Sequence, residues 1–100
     1  MEIKVLETAP VTIVEVMGRI DTTTSVDFEK QIIDILKING NDITLNCEGL
    51  EYISSSGLRA LLVLAKTANS MRKKVTLSGT TPMVKKVITV SHFDSFFNML

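Results

Sequence analysis

Three consecutive hydroxyls, Ser54, Ser55 and Ser56, followed at once by Gly57, are the residues of this 100-residue chain whose types and spacing suit chemistry. A serine hydroxyl can act as a nucleophile, accept a phosphoryl group or cap a helix. The hydrolase nucleophile elbow requires G-x-S-x-G on a strand-to-helix turn. Here the window reads Ile53-Ser54-Ser55-Ser56-Gly57, so the first glycine is missing. A triad also needs a base, and the sole histidine, His92, falls where a helix is expected to end. No glycine-rich phosphate loop and no pair of histidines at ligand spacing is present. Asp21, Asp27, Glu48 and Glu51 are scattered carboxylates of the kind that usually face solvent, and Cys47 is the only cysteine. Neither a disulfide nor a cysteine metal cluster follows. The residues imply no enzyme activity, no cofactor and no metal.

Capping and anion binding remain. The serines lie between an apolar strand pattern, Ile43 to Cys47, and an apolar helical pattern running to about Met71. At such a junction the first helical N–H groups lack backbone partners and favour a hydroxyl cap or a negative charge. One cap needs one hydroxyl, yet three are present. Gly57 inside a helix costs about 1 kcal/mol relative to alanine. Arg59 places a cation in the first turn, against the helix dipole. These two penalties point to an anion or a partner approaching the turn, and a phosphoserine there would add about −1.5 to −2 charges.

The elements that must hold this turn follow from apolar periodicity. Glu2 to Glu7 and Val11 to Met17 read as two strands of an antiparallel hairpin around Thr8-Ala9-Pro10, with Gly18 as the stop. Thr24 with Asp27 resembles a capping box, opening a helix from about Thr24 to Ile38. Its apolar stripe is Phe28, Ile32, Ile35 and Leu36, and Asn39-Gly40 stops it. Ile43 to Cys47 is the third strand, joined by Glu48 to Ile53 to the serine turn. Leu58, Leu61, Leu62, Ala65 and Ala68 mark the buried face of the second helix. Val75 to Ser78 is the fourth strand, and Thr81-Pro82 opens a third helix as cap and first residue. Phe93, Phe96, Phe97 and Leu100 have the spacing of a last short helix. The order β-β-α-β-α-β-α-α predicts a single α/β domain over residues 1–100: a four-stranded mixed sheet with an N-terminal hairpin and about four helices.

Composition agrees with a folded domain, since apolar residues make up 45% and only two prolines occur. The longest apolar run, Ala60 to Ala65, is too short to span a bilayer, so no membrane insertion is expected. The N-terminal residues do not read as a signal peptide, which together with the lone cysteine suggests a reducing cytoplasm. Net charge is zero, yet residues 1–54 carry −6 and residues 55–100 carry +6. The basic half lacks long Lys/Arg runs and interleaved aromatics, so a dipolar protein docking another protein is favoured over direct nucleic-acid binding.

Ile53-Ser54-Ser55-Ser56-Gly57-Leu58 resembles the phosphorylation-site turn of the STAS domains, the bacterial anti-sigma factor antagonists. Gly18-Arg19-Ile20-Asp21, Glu48-Gly49-Leu50, Thr81 to Val87 and Phe93 to Phe97 agree with the same family in the same order. The resemblance covers nearly the whole chain. It implies a non-catalytic switch whose unphosphorylated form binds an anti-sigma factor that is also an ATP-dependent serine kinase, freeing a sigma factor. The phosphorylated position, two before the turn glycine, corresponds to Ser55, and a metal-dependent serine phosphatase would reset it. Ser54 stands where many members carry aspartate and is the alternative acceptor; Asn46 also replaces an aspartate, and Arg59 a small residue. The expected partner surface is Asp21, Thr22 and Thr23 with Ser54, Ser56, Gly57, Leu58 and Arg59, on a monomer. The alternative is a STAS interaction subunit of a signalling scaffold or transport complex that is never phosphorylated.

Overall fold

The computed structural model describes residues 1–100. The elements are β1 (Glu2–Glu7), β2 (Thr12–Ile20), α1 (Ser25–Asn39), β3 (Ile43–Asn46), β4 (Leu50–Ile53), α2 (Ser55–Ser70), β5 (Val75–Ser78), α3 (Pro82–Val90), a 3-10 turn (Asp94–Phe96) and β6 (Asn98–Met99). The α/β class, the mixed sheet and the N-terminal hairpin are as the periodicity predicts. The sheet has six strands rather than four, in the order β1-β2-β3-β5-β6 with β4 also on β2, and three α-helices rather than four.

β1 runs antiparallel to β2, whereas β3, β4, β5 and β6 join by parallel pairing. All the parallel strands therefore end at one edge of the sheet. Alternation decides which face is covered: Val14, Val16, Ile43, Leu45, Val75 and Leu77 are buried under the helices, while Ile13, Glu15, Thr44, Asn46, Thr76 and Ser78 on the other face are half exposed. Phe28, Ile32 and Leu36 of α1 meet Leu61, Leu64 and Ala68 of α2 in one continuous core with Val84 and Ile88 of α3. Gly40 closes α1 in the left-handed region (φ 65°) and donates its N–H to Leu36 O. Thr81 caps α3, accepting the Val84 N–H, with Pro82 at the first helical position.

Two departures concern strands. Glu48 to Ile53 is no simple connection: Leu50–Ile53 forms β4 along the C-terminal end of β2, with Ile20 opposite Ile53. Its buried residues are Leu50 and Ile53, three apart, so no alternation announced a strand. Gly18 does not end β2. It adopts φ 90° at a register shift, where the strand changes partner from β3 to β4, and donates its N–H to Gly49 O at 2.8 Å.

The third departure is the C-terminus. His92 at φ 61° stops α3, and the 3-10 turn then leads into β6, which pairs Asn98 and Met99 with Thr76 and Leu77. The spacing of Phe93, Phe96, Phe97 and Leu100 is helical, but the open edge of β5 offers ladder hydrogen bonds that a local helix does not. Leu100 N–H accordingly donates to Leu77 O at 2.9 Å. Of the three C-terminal phenylalanines only Phe97 is buried; Phe96 is 47% exposed.

Candidate functional site

The serine turn follows β4 and starts α2, at the edge where the parallel strands end. Ser54 is the cap: its backbone is extended and its Oγ accepts the Gly57 N–H at 3.1 Å. Ser54 Oγ also lies 3.0 Å from Ser56 Oγ, so these two hydroxyls share a hydrogen bond. Ser54 N–H donates to Ile20 O at 2.8 Å, tying the turn to the end of β2. Ser55 stands apart. At the first helical position it is exposed, and its hydroxyl takes no part in this network.

Gly57 is buried, not open to a partner. A Cβ there would lie 2.8 Å from Ile20 Cγ2, 2.8 Å from Ile53 Cγ1 and 3.0 Å from Ile20 O. The missing side chain lets α2 settle directly on the junction of β2 and β4. Leu58, 5% exposed, belongs to the core. Placing Gly57 and Leu58 on the contact surface therefore does not fit their burial; they fix the position of the turn. Arg59 is exposed.

The loop after β2 comes to the same edge. Asp21 Oδ1 accepts from Thr23 Oγ1 (2.7 Å), Thr23 N (3.0 Å) and Thr24 N (3.1 Å), with Thr24 Oγ1 at 3.2 Å. The capping box between Thr24 and Asp27 is not formed. Thr24 is itself in a right-handed conformation and makes no side-chain cap; its Oγ1 accepts from Asp21 N, while Asp27 accepts from Gln31 Nε2. An extra turn headed by Asp21 precedes the helix, and the aspartate closes it. Thr22 and Thr23 are exposed beside it. Behind the loop, Arg19 stacks over Tyr52 with 4.3 Å from Cζ to the ring centroid, locking β2 to β4.

The hydroxyl of Thr23, with further hydrogen bonds from the Thr24 and Thr23 amides and the Thr24 hydroxyl, lowers the Asp21 pKa from 3.8 to about 2. A depressed carboxylate stabilises the fold above its unfolded value and loses that contribution as pH falls through the folded value, here between about pH 4 and pH 2. In an NMR pH titration the Asp21 carboxyl midpoint is expected near 2, moving up towards 3.8 in Thr23→Val. An unchanged midpoint in that variant would show that the threonine hydroxyl is not the main cause.

Between α1 and α2, a cleft of about 190 Å³ brings Ser25, Val26 and Glu29 together with Ser56 and Arg59. Sequence reading missed Val26, which is 77% exposed. Its signal was an apolar residue off the buried stripe of α1, next to the loop already singled out. Glu29 lines the same cleft as Arg59.

His92 is no base for these serines. It follows α3, which descends from the end of β5 to the start of β6, so it lies at the opposite edge of the sheet. Cys47 is buried and its thiol is pushed up to about 12 by desolvation, so it stays neutral. No cluster of His, Cys, Asp and Glu has metal-binding geometry.

Fold and turn together define a domain with a helix-capping serine site at the edge of a mixed sheet, and a family model for the STAS domain matches residues 2–100. The chain belongs to the STAS domain family. Among curated relatives, it is similar to a STAS-domain containing protein of Pseudomonas aeruginosa (strain UCBPP-PA14), with 24% identity over 86 residues, 86% of this chain and 84% of that protein. Among solved structures, it is similar to an anti-sigma factor antagonist from Mycobacterium paratuberculosis, with TM-score 0.82, 20% identity, and coverage of 98% of this chain and 85% of the other. SpoIIAA shares the fold in its unphosphorylated form (TM-score 0.79, 17% identity, 99% of this chain and 86% of that one). The phosphorylated form of SpoIIAA from Bacillus does so as well (TM-score 0.72, 16% identity, 99% and 89%).

Proposed function

We propose that this protein is an anti-sigma factor antagonist switched by phosphorylation of Ser55. Unphosphorylated, it binds a kinase-type anti-sigma factor in the cytoplasm as a monomer and frees a sigma factor. The bound kinase transfers the γ-phosphoryl group of ATP to Ser55, which ends the interaction, and a serine phosphatase restores it. The observation that carries this reading is the difference among the three serines: Ser54 and Ser56 engage each other and the cap, and Ser55 alone presents a free hydroxyl to solvent. The existence of SpoIIAA in both states supports it.

The contact face consists of Asp21, Thr22 and Thr23 with Ser54, Ser55, Ser56 and Arg59, extended by Val26. Gly57 and Leu58 act from beneath by fixing the turn. Asp21 serves by ordering its loop as much as by charge. No helix is long and apolar enough to cross a membrane, and the reading requires none. Titration of the protein into a complex of its cognate anti-sigma factor with sigma tests the proposal. Release of sigma at stoichiometric protein is expected; retention of sigma at saturating protein would favour a STAS subunit of a scaffold or transport complex.

A further inference from the structure

We propose a second site, for a small organic anion, at the edge of the sheet opposite the serine turn. There the last turns of α2, the start of β5 and the 3-10 turn before β6 enclose a cleft of about 220 Å³. Its polar walls are Asn69, Lys73, Lys74, Ser95 and Asn98, and no carboxylate lines it. Every one of these side chains can donate a hydrogen bond, and two carry a positive charge. Asp42 does not line the cleft; its Oδ1 accepts the Lys74 N–H at 2.9 Å.

Lysines after a helix are ordinarily explained by the dipole. That account does not cover the two asparagines and the serine that converge with them, nor the aromatic wall. Phe96 lines the cleft while 47% exposed, supported edge-to-face by Phe93 with ring centroids 6.2 Å apart, and buried Phe97 lies beside it. The closure of α2 directs the chain towards the cleft. Arg72 adopts φ 61°, a region that favours glycine, and the following Lys73 N–H closes on Ala68 O at 2.8 Å. That turn carries Lys73 and Lys74 round to the cleft. Ammonium groups on flexible stems suit a carboxylate or similar point anion, and the phenyl wall suits an apolar or flat body attached to it. The site is separate from the switch: it lies where the parallel strands begin, and Ser55 lies where they end.

Benzoate, benzamide and inorganic phosphate are the probes, titrated at constant ionic strength and followed by amide chemical shifts. Benzoate is expected to give saturable shifts confined to the segments around Asn69, Lys73 to Val75 and Ser95 to Asn98. Neutral benzamide is expected to give none, and phosphate to bind at least several-fold more weakly. The exposed or half-exposed positions of the lysines make K73Q/K74Q a folded variant, checked by its unchanged spectrum elsewhere, and it should lose at least tenfold in benzoate affinity. Phe96→Ala should weaken benzoate and leave phosphate unchanged. Equal binding of benzamide, an unaltered affinity in K73Q/K74Q, shifts that do not saturate, or phosphate binding as tight as benzoate would each overturn the proposal.

Discussion

Ser55→Asp is expected to weaken binding to the cognate anti-sigma factor by at least tenfold, about 1.4 kcal/mol, while Ser55→Ala keeps the parent affinity. The physical basis is that one charge has opposite effects on the free protein and on the complex. At the first position of α2 an anion faces unpaired N–H groups and the positive end of the dipole, a stabilisation of about 0.3–1 kcal/mol. Arg59, one turn further along the exposed surface of α2, adds to it. At a contact surface the same charge must shed its water and meets whatever acidic groups the partner brings. Binding should therefore fall while the melting temperature stays level or rises slightly. Calorimetric titration and thermal melts of the two variants read both quantities. A Ser55→Asp protein that melts well below the parent would trace the lost binding to unfolding of the turn.

Gly57→Val is expected to destabilise the domain by about 2–3 kcal/mol, lowering the melting temperature by roughly 10–20 °C. Replacing a helical glycine normally helps by up to about 1 kcal/mol, so the sign depends on the surroundings. Here the first added carbon already meets Ile20 Cγ2 and Ile53 Cγ1 at 2.8 Å, and Ile20 O at 3.0 Å. The isoleucine side chains can shift, but Ile20 O is held by the Ser54 N–H and cannot withdraw without breaking the link between β2 and the turn. Branching at Cβ adds two more methyls to the same gap. Thermal or urea denaturation measures the loss. A variant as stable as the parent would mean that α2 can lift off the β2–β4 junction at no cost, and that the turn is not fixed as described.

Where local signals and tertiary geometry agree, the sequence is sufficient. The Ser54 and Thr81 caps, the Gly40 stop and the α1 stripe are all decided within a few residues, and they form as expected save that Ile35 of the stripe is only half-buried. The turn residues that carry the family resemblance are likewise contiguous. The misreadings arise where a partner strand decides. Leu50–Ile53 becomes a strand because the end of β2 needs a neighbour beyond Gly18, and Asn98–Met99 because β5 has an open edge. Gly57 and Leu58 look available in a linear motif, and only the approach of Ile20 and Ile53 shows that they are covered. Val26 was visible as an apolar residue on the wrong face of α1, but nothing local says that it stands beside Ser56 and Arg59.

The most direct measurement is peptide mass spectrometry of the protein after reaction with ATP and the cognate kinase, run in parallel on Ser55→Ala. One phosphate on Ser55, absent from the variant, is the predicted result, because Ser54 and Ser56 spend their hydroxyls on each other and on the Gly57 amide. Phosphate found on Ser54 or Ser56 while Ser55 stays bare, or no phosphate on a protein that the kinase nonetheless binds, would contradict the assignment of the switch to Ser55.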